Sequence, residues 1–414
     1  MIKTSRYRLG NGLQVVHSRN CATGMAAVNL LYRVGAKNES PEYTGLAHLC
    51  EHLMFGGTAA VPKFDSVMVE AGGDNNAWTN SDITNYYDIL PFENVETAFW
   101  VEADRMQNLL LSDKSVEVQR SVVQEEFKQR CLNAPYGDVG HILREMVYKV
   151  HPYKWPVIGK ALSDIENVPV EAIKAFYRRY YNPGNAILSV VGNLDSEDVF
   201  ALAEKWFAGI PCAEMPERTL PCEPTQLSAR VKEVERDVPH NMIVKAYRMC
   251  GRLDNDYPVC DLLSDVLSNG RSSRLFRNVY AKGNLVASID ASITGDEDPG
   301  MLIVKAQLLP GVSFDRVEAA IADELRKVAD GDVGQYELDK VVNKYESNAL
   351  FSNLNNDELA SNLAYFEMLG NAEMINEEVE RYRATTLGRM ADVASALFAE
   401  SNCSTLYYKA RNSR

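Results

Sequence analysis

The order of the predicted elements most constrains this fold, because it repeats on either side of a proline-rich segment. That segment, 211–224, contains four prolines and is predicted to be part of a linker. On each side, early strands precede helices, a further strand pair, more helices and a late strand. This mixed rather than strictly alternating order is typical of α+β domains, so the sequence predicts two domains of like fold.

The chain of 414 residues is too long for one core, which agrees with domains at 1–210 and 227–414 joined by a linker at 211–226. A hydrophobic content of 46% and a charged content of 24% are ordinary for a globular protein. The net charge of −14 argues against a nucleic-acid partner. No apolar run reaches membrane-spanning length and the start lacks a signal-peptide core, so we expect no membrane span and a cytoplasmic location.

Hydrophobic periodicity and turn residues predict the individual elements. In the first half, strands are predicted at 13–17, 26–34, within 74–88 and at 186–192, and helices at 64–71, 95–110, 115–132, 170–180 and 195–207. In the second half, strands are predicted at 230–235, 242–248, 285–293, 301–308 and 404–409, and helices at 257–267, 271–281, 313–330, 336–350 and 357–369.

The pentapeptide HLCEH, which contains His48, Glu51 and His52, lies on a further predicted helix. Residues four apart on a helix lie one above the other, so both imidazoles face one way and can bind one metal ion. Glu51 reaches the same face and can act as a base. The alternative is two core histidines, but a carboxylate inside an apolar helix needs a partner or a metal. Thr44 is predicted to cap this helix and Gly56-Gly57 to end it.

Several stretches carry a resemblance to a known family. They are HLCEHLMFGGT at 48–58, the segment 72–86 with its Asn-Ala-Trp-Thr, and the short stretches 135–137, 151–153 and 181–185. Together they resemble the pitrilysin family, which includes insulin-degrading enzyme and the mitochondrial processing peptidases, densely over 7–210 and thinly beyond. The resemblance implies two α/β-roll domains, each a mostly antiparallel sheet packed by helices, and a zinc peptidase of the H-x-x-E-H type with one Zn²⁺ per chain.

The resemblance also implies a third metal ligand on a helix downstream of the motif. The family pattern Glu-Arg-x-Val-Val-x-x-Glu, aligned on Arg120 and Val123, places this ligand at Glu126. Glu125 points about 100° away around the helix and is the alternative ligand, or else a solvated carboxylate. Gln119 stands where the family usually has a glutamate, so it keeps hydrogen bonding there but loses a charge.

In the family, the segment that Asn76, Ala77 and Trp78 resemble is an edge strand that binds the substrate by adding it to the sheet. Trp78 is thus expected to line a side-chain pocket, with a core aromatic residue as the alternative. The resemblance implies that the two histidines and Glu126 hold zinc and that Glu51 is the general base. A His/His/Glu set also accepts other divalent ions, such as manganese or cobalt.

The second half departs from the family at two positions. Members that act alone have there an arginine and, further on, a tyrosine that hold the substrate near the zinc, whereas this chain has Tyr280 and Ala287. In two-subunit members, a metal-bearing chain pairs with a sister chain that lacks metal. The resemblance therefore predicts a paralogous sister subunit as partner. The alternative is a homodimer in which Arg271, Arg274 or Arg277 holds the substrate.

The sequence thus predicts a zinc metallo-endopeptidase that hydrolyses peptides or unfolded segments. One alternative is a non-catalytic or weakly active subunit of a processing-peptidase-like complex, which the intact HLCEH motif and Glu126 disfavour. Another is a structural zinc protein, which a general base beside an open ligand position disfavours.

Overall fold

A computed structural model gives the fold and describes residues 1–213 and 219–411. The packing divides the chain into two compact units. The first unit consists of Met1–Leu132, His151–Pro221 and Ala349–Glu377, and the second of Asn133–Val150, Cys222–Asn348 and Glu378–Arg414. Each unit therefore includes a segment that belongs to the other half of the sequence.

The strands in the described residues are β1 Ser5–Arg8, β2 Gln14–Arg19, β3 Met25–Tyr32, β4 Asp74–Thr79, β5 Thr84–Pro91, β6 Ala186–Gly192, β7 Arg230–Arg236, β8 Met242–Arg248, β9 Val286–Ile293, β10 Met301–Leu308 and β11 Cys403–Ala410. The helices of the first sequence half are α1 Leu46–Met54, α2 Phe64–Glu70, α3 Val95–Asn108, α4 Asp113–Phe127, α5 Val139–Val147, α6 Leu162–Asn167, α7 Val170–Tyr180 and α8 Ser196–Phe207. Those of the second are α9 Tyr257–Ser268, α10 Phe314–Ala329, α11 Gln335–Ser352, α12 Asn356–Leu369, α13 Glu378–Arg383 and α14 Leu387–Leu397. Two π-helical turns occupy Lys128–Asn133 and Phe276–Lys282.

The first unit is built on a six-stranded sheet in the order β1-β2-β6-β3-β5-β4. Its strands pair antiparallel except for β2 and β6, which are parallel. The central strand β6 is buried along its whole length because both faces of the sheet are covered. By contrast, β4 lies at the sheet edge and alternates between exposed and half-buried residues. The sheet thus offers an edge beside a well-packed core.

Helix α12 covers one face of this first sheet. Its Leu359 and Leu363 share a buried apolar cluster with Val16, Ala27 and Leu31 of the sheet, while α1, α3, α7 and α8 pack on the opposite face. The first domain predicted at 1–210 is contiguous, whereas the first unit also includes Ala349–Glu377. This segment belongs to the unit because the apolar side of α12 is buried against a sheet made of residues far earlier in the chain.

The second unit contains a five-stranded sheet in the order β7-β11-β8-β10-β9, with β7 and β11 parallel. Helix α5 belongs to this unit, where the carbonyl oxygens of Met146 and Val147 at its end accept hydrogen bonds from Arg230 at 2.6 and 2.7 Å. The second unit therefore includes the segment Asn133–Val150, which lies outside the second domain predicted at 227–414. Five residues of the predicted linker, 214–218, lie outside the described residues.

The predicted α+β class is confirmed, because each unit is a largely antiparallel sheet packed by helices. The differences from the predicted elements are local. Strand β1 and helices α5, α6, α13 and α14 have no predicted counterpart. The helix predicted at 115–132 ends its α-helical part at Phe127 before a π-helical turn, and the one predicted at 271–281 is mostly the π-helical turn Phe276–Lys282. None of the helices in the described ranges combines the length and the apolar character needed to cross a membrane.

Candidate active site

Helix α1 carries His48, Glu51 and His52, and its remaining side chains are mostly apolar and buried. The buried residues are Leu46, Ala47, Leu49, Cys50, Leu53 and Met54. They fix the rotation of the helix, because their burial in the core of the first unit leaves the motif side chains on the opposite, half-buried side.

The start of α1 is held differently from the prediction. The residue at the N-cap is Gly45, with a φ of 90°, so the prediction of Thr44 as the cap was wrong. The Thr44 hydroxyl instead donates to Asp164 Oδ2 at 2.7 Å. A left-handed backbone conformation at the cap favours glycine, and that is the residue found here.

Glu39 replaces the missing cap. Its two carboxylate oxygens accept hydrogen bonds from the backbone N–H groups of Gly45 at 2.8 Å and Ala47 at 2.9 Å. The side chain is fully buried, and burial raises its pKa to about 8 although these hydrogen bonds oppose the shift. Sequence reasoning missed Glu39, because it lies in an irregular stretch before the helix where no periodicity marks it.

The structure brings His48, His52 and Glu126 together. Glu126 Oε2 lies 3.6 Å from His48 Nε2 and 3.4 Å from His52 Nε2, and one ligand atom from each residue lies within 4.8 Å of the others. The two imidazole rings stand nearly perpendicular, with centroids 4.7 Å apart. Three donors from two helices, α1 and α4, therefore converge on one point.

This donor set fits a zinc ion. Tetrahedral zinc with bonds of about 2.0–2.1 Å needs ligand atoms about 3.3 Å apart, close to the separations between Glu126 and the histidines. Burial, followed by the charge of His52, lowers the pKa of His48 to about 4, so its imidazole is neutral at neutral pH. The hydrogen bond to His52 is the main factor that lowers the pKa of Glu126. A neutral imidazole and an ionised carboxylate are the forms that bind metal.

Glu126 and Glu125 face different surroundings. Glu126 is half-buried, and its second oxygen Oε1 pairs with Arg130 Nη1 at 2.8 Å, which leaves Oε2 directed at the histidines. The side chain of Glu125 is 59% exposed and lies 3.7 Å from Lys128 Nζ. Of the two glutamates, Glu126 is the one that the structure brings to the histidines.

Glu51 lies next to this cluster but is not one of its three members. Its Oε2 accepts a hydrogen bond from the hydroxyl of Thr79, the last residue of β4. Burial raises the pKa of Glu51, against the Thr79 hydrogen bond and the charge of His52, which both lower it. A carboxyl group with a raised pKa beside a metal-type donor set is a candidate general base.

The segment Asn76–Trp78 lies in the middle of the edge strand β4. Trp78 is 40% exposed, so the alternative of a core aromatic residue is wrong. The backbone N–H of Ala77 donates to Oδ1 of its neighbour Asn76 at 2.8 Å. Strand β4 also contacts the motif helix α1, which places this edge beside the candidate base.

The two departures in the second half lie on neighbouring elements of the second unit. Tyr280 belongs to the π-helical turn and its ring centroid lies 4.9 Å from that of Phe276, while Ala287 is exposed on the edge strand β9. Arg274, one of the alternative substrate-holding residues, is buried and pairs with Glu337 at 2.6 Å. That ion pair leaves Arg271 and Arg277, which are both exposed, as alternatives.

Comparison with known proteins gives matches along most of the chain. Residues 14–158 match the family model described as Insulinase (Peptidase family M16), and residues 167–345 match the model described as Peptidase M16 inactive domain. The chain is 33% identical over 341 residues to the zinc protease PqqE of Helicobacter pylori, a match that covers 80% of this chain and 76% of that protein.

Two further matches agree with this one. An uncharacterized zinc protease of Mycobacterium leprae is 27% identical over 340 residues, which cover 80% of this chain and 75% of that protein. The crystal structure of a protease from Helicobacter pylori superposes with a TM-score of 0.93 at 28% identity, and the match covers 99% of this chain and 100% of that chain.

Proposed function

Because this chain belongs to peptidase family M16, and relatives in that family are named zinc proteases, we propose that it is a zinc-dependent endopeptidase acting on peptides or unfolded segments. The observation that carries the proposal is the convergence of His48, His52 and Glu126, with Glu51 beside them. Three protein ligands and an adjacent base are the composition of a catalytic rather than a structural zinc site.

In this proposal the two histidines and Glu126 would hold the ion. Zinc, when bound, supplies a Lewis acid and lowers the pKa of a bound water to about 7. Glu51 accepts a proton from the attacking water and delivers it to the nitrogen of the leaving amine. The hydroxyl of Thr79 donates to Oε2 of Glu51 and helps to orient this carboxyl group. The raised pKa of Glu51 favours a group that both takes and returns a proton.

The substrate is proposed to bind as an extended peptide along β4. This strand pairs with β5 on one side and ends the sheet, so its outer edge can accept a further strand. Asn76, Ala77 and Trp78 would then contact the peptide, with the exposed indole of Trp78 beside a substrate side chain. A cytoplasmic location remains a prediction from the sequence.

We also propose that full activity needs a paralogous sister subunit. The proposal is supported by Tyr280 and Ala287, where family members that act alone have the arginine and tyrosine that hold substrate. A homodimer that uses Arg271 or Arg277 is the alternative. Peptide hydrolysis by the isolated chain, measured before and after adding the sister chain and again at increasing concentrations of the chain alone, separates the two.

The main test is hydrolysis of an unfolded protein, read as peptide products by mass spectrometry, with zinc, with a chelator, and after zinc is restored. The expected result is cleavage that the chelator abolishes and zinc restores. The second candidate function is a non-catalytic subunit, which the description of the model matching residues 167–345 as an inactive domain leaves open. Stoichiometric zinc without any cleavage, alone or with the sister chain, would support that candidate instead.

A further inference from the structure

We propose that Thr79 is a positioning residue that couples peptide binding along β4 to the orientation of Glu51. The inference rests on the proposed function, because it assigns a role to the contact between the substrate strand and the base. Thr79 is the last residue of β4, and its hydroxyl donates to Glu51 Oε2. One hydroxyl therefore links the edge where a peptide would bind to the carboxyl group that would move the proton.

The Thr79 hydroxyl has one hydrogen, and its contact with Glu51 Oε2 is much shorter than its contact with Thr84, so the hydrogen goes to Glu51. Thr79 lies opposite Thr84 in the register of β4 and β5, and the two hydroxyl oxygens are 3.5 Å apart. The Thr84 hydroxyl has one hydrogen, which it donates to the carbonyl oxygen of Val34 at 2.9 Å. Because Thr84 is fully buried and held in this way, it gives Thr79 a fixed neighbour at the turn end of the β4–β5 pair.

The outer edge of β4 is the part of this arrangement that a substrate changes. Among the described strands, β4 pairs with β5 only, so its other edge has no strand partner. Edge strands are held on one side and gain backbone hydrogen bonds when an extended peptide adds to them. A peptide paired along β4 would restrain Thr79 and, through its hydroxyl, fix the Glu51 carboxyl group.

This coupling predicts that loss of the Thr79 hydroxyl changes how kcat depends on peptide length but not how KM does. Longer peptides should bind more tightly because they pair with more of β4, and they should also turn over faster because the base is better oriented. Loss of the Thr79 hydroxyl should remove only the second gain. A misplaced catalytic group costs up to about 100-fold in rate, so we expect Thr79→Val to lower kcat for long peptides by about 10- to 100-fold.

The experiment compares wild type, Thr79→Val, Thr79→Ser and Thr4→Val on peptides of increasing length around one scissile bond. Thr4 is the matched control, because its hydroxyl also donates to a glutamate carboxylate, that of Glu373, and it precedes β1 at the opposite edge of the sheet. Zinc affinity by chelator competition and thermal unfolding are measured on each sample, so that loss of metal or of fold is detected separately from loss of turnover.

The expected result is that kcat rises with peptide length in wild type, Thr79→Ser and Thr4→Val but not in Thr79→Val, whose KM still falls with length and whose zinc affinity is unchanged. The inference is overturned if Thr79→Val keeps the wild-type dependence of kcat, or if Thr79→Ser behaves like Thr79→Val. Either outcome leaves the proposed function standing. If zinc-loaded wild type cleaves none of the peptides, the proposed function and the inference both fail.

Discussion

Helices α1 and α9 occupy corresponding positions in the element order of the two units, but their polar side chains differ. Each follows a strand that lies inside its sheet, β3 or β8, and each precedes an antiparallel strand pair at the sheet edge. Both bury most of their apolar side chains. The polar positions differ, because α1 presents two histidines and Glu51, whereas α9 presents Asp261 and Asp265.

The polar groups of α9 are used within the second unit. Tyr382 donates to Asp261 Oδ2 at 2.7 Å, and Asn269 donates to Asp265 Oδ1 at 2.5 Å. In the described part of the chain, the grouping of three metal-donor residues occurs at α1 and α4 and not at α9. One scaffold position therefore carries metal-donor side chains in one unit and helix-packing contacts in the other, because a few side chains differ.

The largest expected effect is a loss of peptide hydrolysis when a carboxyl group is changed on α1 but not when one is changed on α9. Glu51→Gln removes the base while keeping the shape of the side chain, so hydrolysis should fall by about 10²–10⁴-fold with zinc content unchanged. Asp261→Asn, the matched change of a half-buried carboxyl group on α9, should leave hydrolysis unaffected. Peptide turnover and metal analysis are measured on the same samples. Wild-type turnover in the Glu51 variant would remove Glu51 from the mechanism.

The next effect concerns the metal. Glu126→Gln should weaken zinc binding by at least about 100-fold, more than the usual cost of losing an outer partner of a metal ligand. Glu125→Gln is the control one residue away, and it should change zinc affinity little because its side chain pairs with Lys128 at the surface. Competition with a chelator measures both variants. A larger loss in the Glu125 variant would show that the helix presents the other glutamate.

A third test concerns how the start of α1 is held, and it predicts a pH dependence of stability. Burial raises the pKa of Glu39 to about 8, so the folded chain keeps a proton that the unfolded chain releases above its ordinary value of 4.5. The stability that this group contributes is therefore present below that ordinary value and is lost as the pH rises toward 8, by at most about 1.4 kcal/mol per pH unit.

Glu39→Gln removes the titration, so the unfolding free energy of the variant relative to wild type should rise steadily between these two pH values. Denaturant unfolding at several pH values measures it. The change also loses acceptor capacity toward the N–H groups of Gly45 and Ala47, which adds a cost that does not vary with pH. A constant difference across this range would show that Glu39 titrates normally.

The smallest effect is expected on α9. Burial is the main cause that raises the pKa of Asp261, so the charged form is disfavoured in the fold and stability is lost as the pH rises through that raised pKa. Asp261→Asn keeps an oxygen that can accept from Tyr382 and removes the charge. It should therefore raise the melting temperature slightly at pH 7 and match wild type near pH 4. A lower melting temperature at pH 7 would contradict this.

The part of the site that the sequence could indicate is local. Arg120 and Val123, on which the family pattern was aligned, are both buried on α4, and this rotation turns Glu126 rather than Glu125 toward the histidines. Such features depend on residues within a few turns or strand positions of one another, where periodicity carries the information.

Other parts of the site could not be predicted in this way. Glu39 caps α1 only because an irregular segment folds back onto the start of the helix, and Thr44 is drawn away from that start by Asp164, which lies 120 positions along the chain. The contact of Thr79 with Glu51 likewise joins a strand end to a helix. These contacts depend on how separate segments meet, which neither propensity nor spacing encodes.

The position of α12 has a consequence for how the protein is made. The face of the first sheet that α12 covers is formed by early residues such as Val16, Ala27 and Leu31, but α12 itself begins only at Asn356. During translation this apolar face therefore leaves the ribosome long before its cover is synthesised. The first unit can complete its core only after α12 has been synthesised. A nascent chain stalled at the linker would expose an apolar surface of the kind that chaperones bind.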